Sequence, residues 1–270
     1  MTMINFLKES TFTVNEVIVK AWLVTKRNYF SIATLCFLMF ITSNASGLMA
    51  FFLKDVNMAL RALMALSFAF LYFTLNLSLL KYIFHLLDDE EHDVSIVSTL
   101  PTRQQIIRFV IGMFYFMLVI IGVYAVVILV AFSFIYTGVK TRVLPNATLA
   151  TNIAIAVGVV AIFITWVRIS FFPFFIIDKN QAPFGSLKFS LAITKGNFTK
   201  ILILLMVLGG FYVVNLLVSF LQWPVMAFFI NILSSFIIVP LSAVALTIAY
   251  RKMMGEYNSD QEPDIIHNIV

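Results

Sequence analysis

The sequence predicts an all-α integral membrane protein whose six transmembrane helices form three hairpins, and three observations predict it. Of 270 residues, 61% are hydrophobic and 11% charged, where a soluble domain is about half apolar and about a quarter charged; the mean hydropathy is +1.01. Apolar runs cover positions 29–53, 62–84, 107–136, 149–177, 201–221 and 225–250, each long enough for the roughly 20 residues that one crossing needs. Finally, a short polar phrase recurs just before the first, third and fifth runs. It reads Thr25-Lys26-Arg27-Asn28-Tyr29, Thr102-Arg103-Gln104-Gln105-Ile106 and Thr194-Lys195-Gly196-Asn197-Phe198. The echoes divide a single polytopic domain, 1–270, into units 1–85, 86–180 and 181–254 with a polar tail at 255–270. Each unit is a surface segment followed by two crossings, so the repeats share one orientation about an axis near the membrane normal.

The first surface segment opens on Thr13 with Glu16 three residues on, the spacing of a capping box. Val14, Val17, Ile18, Ala21 and Trp22 follow at helical spacing and predict one apolar face, with Lys20 and Lys26 off it, as in a helix lying beside anionic lipid. In the middle unit Pro101 interrupts any surface helix. In the third, Pro183 suits a first helical turn, Phe184, Leu187 and Leu191 form the expected apolar stripe, and Lys188 and Lys195 stand on another side. Gln222-Trp223-Pro224 turns the last hairpin, with the Trp at the membrane surface.

Six crossings put both termini on one side. Of the 18 Lys and Arg, only Lys54, Arg61, Lys140 and Arg142 fall in the loops opposite the termini, so the positive-inside rule places both termini in the cytoplasm of a cell inner membrane. The net charge of +5 is then a topology signal rather than a sign of nucleic-acid binding. The first 27 residues are too polar for the apolar core of a signal peptide. The one cysteine, Cys36, sits in an apolar run and excludes an intrachain disulfide.

Arg168 is the most informative charge. It precedes Asp178 by ten residues, about 15 Å along a helix, and a charge at that depth marks a functional site by default. The competing reading is that Pro173 breaks the helix and Arg168 snorkels to the headgroups. A partner for Arg168 is either Asp178, if the chain bends at Pro173, or Glu16. No acidic residue or histidine falls within a central span, which disfavours a proton-driven carrier. Asn44, Asn76, Asn215 and Asn231 are polar groups inside spans, and Gly112, Gly122, Gly209 and Gly210 are small ones; both kinds mark helix–helix contacts, with a polar path for a substrate as the sharper alternative.

The run Asp88-Asp89-Glu90-Glu91 with Asp93, His85 and His92 offers oxygens to a divalent cation, but such runs are usually solvated faces. No metal site, cofactor motif, phosphate-binding loop, nucleophile elbow or triad emerges. The expectation is a protein that is not an enzyme.

Arg168, Pro173, Ile177-Asp178, Ser186-Leu187, Ser190 and Thr194-Lys195-Gly196-Asn197, in that order, resemble a pattern in a group of bacterial inner-membrane proteins. The group comprises the YciC-like proteins and the membrane domain attached to some glycerophosphodiester phosphodiesterases. The resemblance covers about thirty residues plus the six-helix layout and implies only the membrane architecture, since the family's phosphodiesterase chemistry belongs to a separate soluble domain. Arg168, Asp178, Lys195 and Asn197 carry over as motif positions without an assigned role.

The function expected is therefore a non-enzymatic multi-pass protein that binds membrane lipid or a partner as a scaffold or accessory subunit. Lys20, Lys26, Arg27, Lys188 and Lys195 would face anionic headgroups at about 1 kcal/mol each, and a protein partner or a second copy is a further expectation. The alternative is a transporter for an amphipathic or anionic solute, with Arg168 as the anion contact.

Overall fold

The computed structural model describes residues 12–53, 57–88, 96–140 and 147–259, and every regular element among them is helical. In order these are α1 (Val14–Arg27), α2 (Tyr29–Phe52), α3 (Met58–Asp88), a 3-10 turn (Ile96–Thr99), α4 (Arg103–Lys140), α5 (Ala147–Ile169), α6 (Phe172–Asp178), α7 (Pro183–Thr194), α8 (Phe198–Phe220), α9 (Pro224–Leu233) and α10 (Val239–Ser259). A π-helical turn, Ser234–Ile238, joins the last two. Six helical stretches are long and apolar enough to cross a membrane: α2, α3, α4, α5 with α6, α8, and α9 through α10. Several run past the apolar limits read from the sequence; α3 continues through Lys81 and His85 to Asp88, because charged residues at a span's end do not break a helix. The acidic run 89–93, positions 141–146 of the loop after α4 and the tail beyond Ser259 lie outside the described residues.

α2 packs along α3, α4 along α5 and α8 along α9, while α1 lies against α10. The buried core gathers at the end of the molecule where α1, α6 and α7 sit. It takes in Leu77, Leu79, Tyr82, Ile83 and Phe84 of α3, nearly all of α6, and Val244, Ile248, Tyr250 and Met253 of α10. At the opposite end the helices present Phe134, Tyr136, Phe220 and Phe229 outward, as suits surfaces that meet lipid rather than water.

Thr13 caps α1 as its spacing predicts, Oγ1 accepting the Glu16 N–H at 3.4 Å. The reciprocal half of the box is missing, because the Glu16 carboxylate pairs with Lys252 of α10 instead. The buried face of α1 is Val17, Ala21 and Thr25, and Trp22, expected on it, is 50% exposed. Val14 and Ile18 pack partly against the core, so the expected face forms except that Thr25, and not Trp22, completes it. A complete reciprocal cap stands at the start of α4: the Thr102 N–H reaches Gln105 Oε1 at 2.9 Å and the Gln105 N–H reaches Thr102 Oγ1 at 3.3 Å. Pro101 separates it from the 3-10 turn.

Two backbone irregularities follow from prolines. Pro173 ends α5 before it, and α6 restarts with that proline in its first turn, where the missing N–H costs nothing. Pro240 lies two residues past the end of the π turn. A proline inside a helix clashes with the carbonyl four residues back, here that of Phe236, and the wider turn relieves it: the Val239 N–H bonds Ser234 O, five residues back. Phe236, carried outward by the bulge, packs on Phe37 and Phe40 of α2 at ring distances of 6.0 and 5.9 Å.

Of the glycines expected at helix contacts, Gly112 alone is tight: a Cβ there would stand 2.9 Å from the ring of Phe172, so α4 approaches α6 closely only because it has none. Gly122, Gly209 and Gly210 have no neighbour within 4 Å of the Cβ position, and so do not mark such contacts.

Candidate functional site

The break between α5 and α6 is closed by α7. Ser190 Oγ donates to Arg168 O at 2.8 Å and accepts the Phe171 N–H at 3.1 Å, satisfying both faces of the interruption with one hydroxyl. Thr194 Oγ1 lies 3.2 Å from the same carbonyl, nearer still to Ser190 O at 2.8 Å. The buried stripe of α7 is accordingly Ser186, Leu187, Ser190, Ile193 and Thr194. The apolar stripe expected from the sequence does not form as such: Phe184 is 56% exposed, with Lys188 Nζ 4.8 Å above its ring. Hydroxyls won the inward side because an unpaired backbone group inside a membrane costs more than an exposed Phe.

Arg168 stays in the last turn of α5, half-buried, and its Nη2 donates to Leu191 O of α7 at 3.3 Å. It pairs with neither of the carboxylates expected for it. Glu16 goes to Lys252, and Asp178 goes to α10: Tyr250 Oη donates to Asp178 Oδ2 at 3.0 Å, and Arg251 Nη1 stands 3.3 Å from Oδ1, with Lys179 Nζ at 3.5 Å from Oδ2. Arg251 also grips Asp88 at the end of α3, Nη2 lying 2.6 Å from Oδ2, and stacks 4.9 Å over the Phe84 ring. One guanidinium thus ties α3, α6 and α10 together. Below it, Phe84, Phe174, Phe175 and Tyr250 form an aromatic plug with ring distances of 5.2 to 6.2 Å.

The remaining sequence candidates lie on α1, on α7 and just past it, and at the start of α8. Lys188 and Lys195 are exposed, Lys26 and Arg27 are exposed at the end of α1, and Asn197 is buried at the start of α8. The residues that sequence reasoning missed are Tyr250, Arg251 and Lys252 as a network, and Ser190, named in the pattern, carried no role there. The basic pair after the last apolar run was visible in the sequence, but its partners Asp88 and Glu16 lie 163 and 236 residues distant.

Above the plug, toward the middle of the spans, α3, α5, α6, α8 and α10 enclose a cavity of about 640 Å³. Its wall is mainly apolar, with Leu79, Leu80, Phe174, Leu205 and Leu208; Asn76, Trp166, Ser170, Tyr212 and Ser242 bring the polar atoms. Ser242 lies nine residues before Arg251 and Asn76 twelve before Asp88, which puts the cavity about 13–18 Å along the helices from the ion pairs. The wall residues Phe163, Trp166, Met206 and Val213 are also exposed on the flank, so the cavity opens sideways between α5 and α8. A second, more polar groove of about 610 Å³ lies at the α8–α9 turn and includes Asn215 and Asn231. Arg168 lines neither. Among the described residues, no three His, Cys, Asp or Glu side chains gather as a metal site.

Fold and site together define a polytopic helical protein with a packed, ion-paired end and an apolar cavity at mid-span. No protein-family model, no curated protein and no solved structure matches this chain.

Proposed function

We propose that the protein is a non-enzymatic, multi-pass inner-membrane protein that holds a membrane lipid in the cavity between α3, α5, α6, α8 and α10, both termini facing the cytoplasm. The observation that carries this reading is the cavity itself: its volume of about 640 Å³ is in the range of ligand sites, which are mostly apolar with a few placed polar groups. It opens sideways, where acyl chains are, and is closed below by the aromatic plug. Its wall has no charged group and no pair of nucleophile and base, which supports binding over catalysis. The three-hairpin layout, with each hairpin led by a cytoplasmic surface segment, and the kinship with the YciC-like group belong to the same proposal. The basic residues of α1 and α7 then face anionic headgroups.

The transporter alternative ranks second, because Arg168 donates to a backbone carbonyl and touches neither cavity, and the plug obstructs a path through the bundle.

Gly209 supplies the test. It lines the cavity, a Cβ added there meets nothing within 4 Å, and Leu is a better helix former than Gly. Gly209→Leu is therefore expected to insert and fold while filling the space. Native mass spectrometry from mild detergent should find lipid on the wild-type protein and at least tenfold less on the variant; equal lipid on both would refute the reading.

A further inference from the structure

The second groove has a different chemistry from the first. Asn215 and Ser219 lie four residues apart on one face of α8, Gln222 stands in the turn just beyond it, and Phe228 and Asn231 face them from α9. Gln222, at φ 57°, reverses the chain there. The two asparagines each stand eight residues from Trp223, so polar groups descend about 12 Å from the turn into the span. The Asn215 carbonyl Oδ1 is buried with no hydrogen-bond partner. Asn44 shows the usual remedy within a span, its Nδ2 donating to Phe40 O of its own helix at 2.7 Å. That bond satisfies a donor only and would leave an acceptor such as Asn215 Oδ1 open, and a buried polar atom without a partner calls for a group that supplies one.

We infer that this groove binds an uncharged, hydroxyl-rich group, from either a glycolipid headgroup or a free sugar. Carboxamides present a donor and an acceptor side by side, matching hydroxyls that do both. The faces of Trp223 and Phe228 suit the C–H surface of a sugar ring. No residue lining the groove is charged, so an ionic headgroup would find no counter-charge there. The inference is independent of the lipid proposed for the mid-span cavity.

The experiment uses the full chain with Trp22→Phe and Trp166→Phe, leaving Trp223 as the one tryptophan, in phosphatidylcholine nanodiscs. Galactosyl diacylglycerol and methyl galactoside are titrated separately while Trp223 emission is read. A saturable change is expected with at least one of them: the lipid alone if the headgroup is the ligand, both if the free sugar suffices. Asn215→Leu and Asn231→Leu should each weaken the response about tenfold. Asn44→Leu and Gly209→Leu should leave it unchanged, separating this site from the mid-span cavity. No saturable change with either probe, or an undiminished response in both asparagine variants, overturns the inference. So does a cross-linked dimer through this groove that Asn215→Leu dissolves, since the orphaned carbonyl would then serve a second copy.

Discussion

A serine decides how a broken helix survives inside an apolar bundle. Ser190 satisfies the carbonyl of Arg168 and the amide of Phe171, and Ser190→Ala leaves both without that partner. Such a loss costs about 1–3 kcal/mol for each stranded group, and thermal unfolding in detergent should show a destabilisation of at least 1 kcal/mol. Thr194→Val should cost less, because the single proton of Thr194 has a nearer acceptor in Ser190 O, at 2.8 Å, than in Arg168 O. This site also shows where the sequence stopped being informative. The position of Arg168, the break at Pro173 and the stretch from Ser186 to Asn197 were all legible as a pattern. What Arg168 bonds to was not, because its acceptor is a backbone carbonyl, which every residue has and no sequence marks. Asp178 was expected to meet Arg168, yet it meets Arg251 and Tyr250, and only a folded chain brings α6 to α10.

The elements dock through small, testable contacts. α4 reaches α6 because Gly112 leaves room for Phe172. In Gly112→Ala the added methyl would stand 2.9 Å from the ring, too close without a shift, and overpacking of this kind costs about 1–3 kcal/mol; differential scanning fluorimetry should show it even though Ala is the better helix former. α1 docks on α10 partly through the pair Glu16–Lys252. The Lys252 ammonium, by hydrogen bond and charge, holds the Glu16 carboxyl below its ordinary value of 4.5. A depressed carboxyl contributes stability above its unfolded-state value and loses it as pH falls toward the folded one. The grip of α1 should therefore be constant at neutral pH and begin to loosen below about pH 4.5. Amide hydrogen exchange in α1, corrected for intrinsic rates, should rise between pH 5 and pH 3.5 in the wild type and lose that step in Glu16→Gln. The Thr13–Glu16 spacing read the start of α1 correctly, while the burial of Thr25 in place of Trp22 was hidden, because the elements packed on α1 set it.

At the scale of the whole molecule, composition and run length made the six spanning helices legible, since lipid imposes those lengths on any sequence. The cavity was not legible: Asn76, Trp166, Tyr212 and Ser242 sit on three helices plus α5, with no spacing that links them. Nor was the concentration of the core at one end, which comes from α1, α6 and α7 all packing there. That concentration bears on how the molecule is made. Val17, Ala21 and Thr25 of α1, the earliest described helix to leave the ribosome, are covered by α10, the last. Arg168 O likewise waits for Ser190, 22 residues later. The packed end therefore closes only after α10 has been made, and until then α1 carries an uncovered face that a chaperone or protease can recognise.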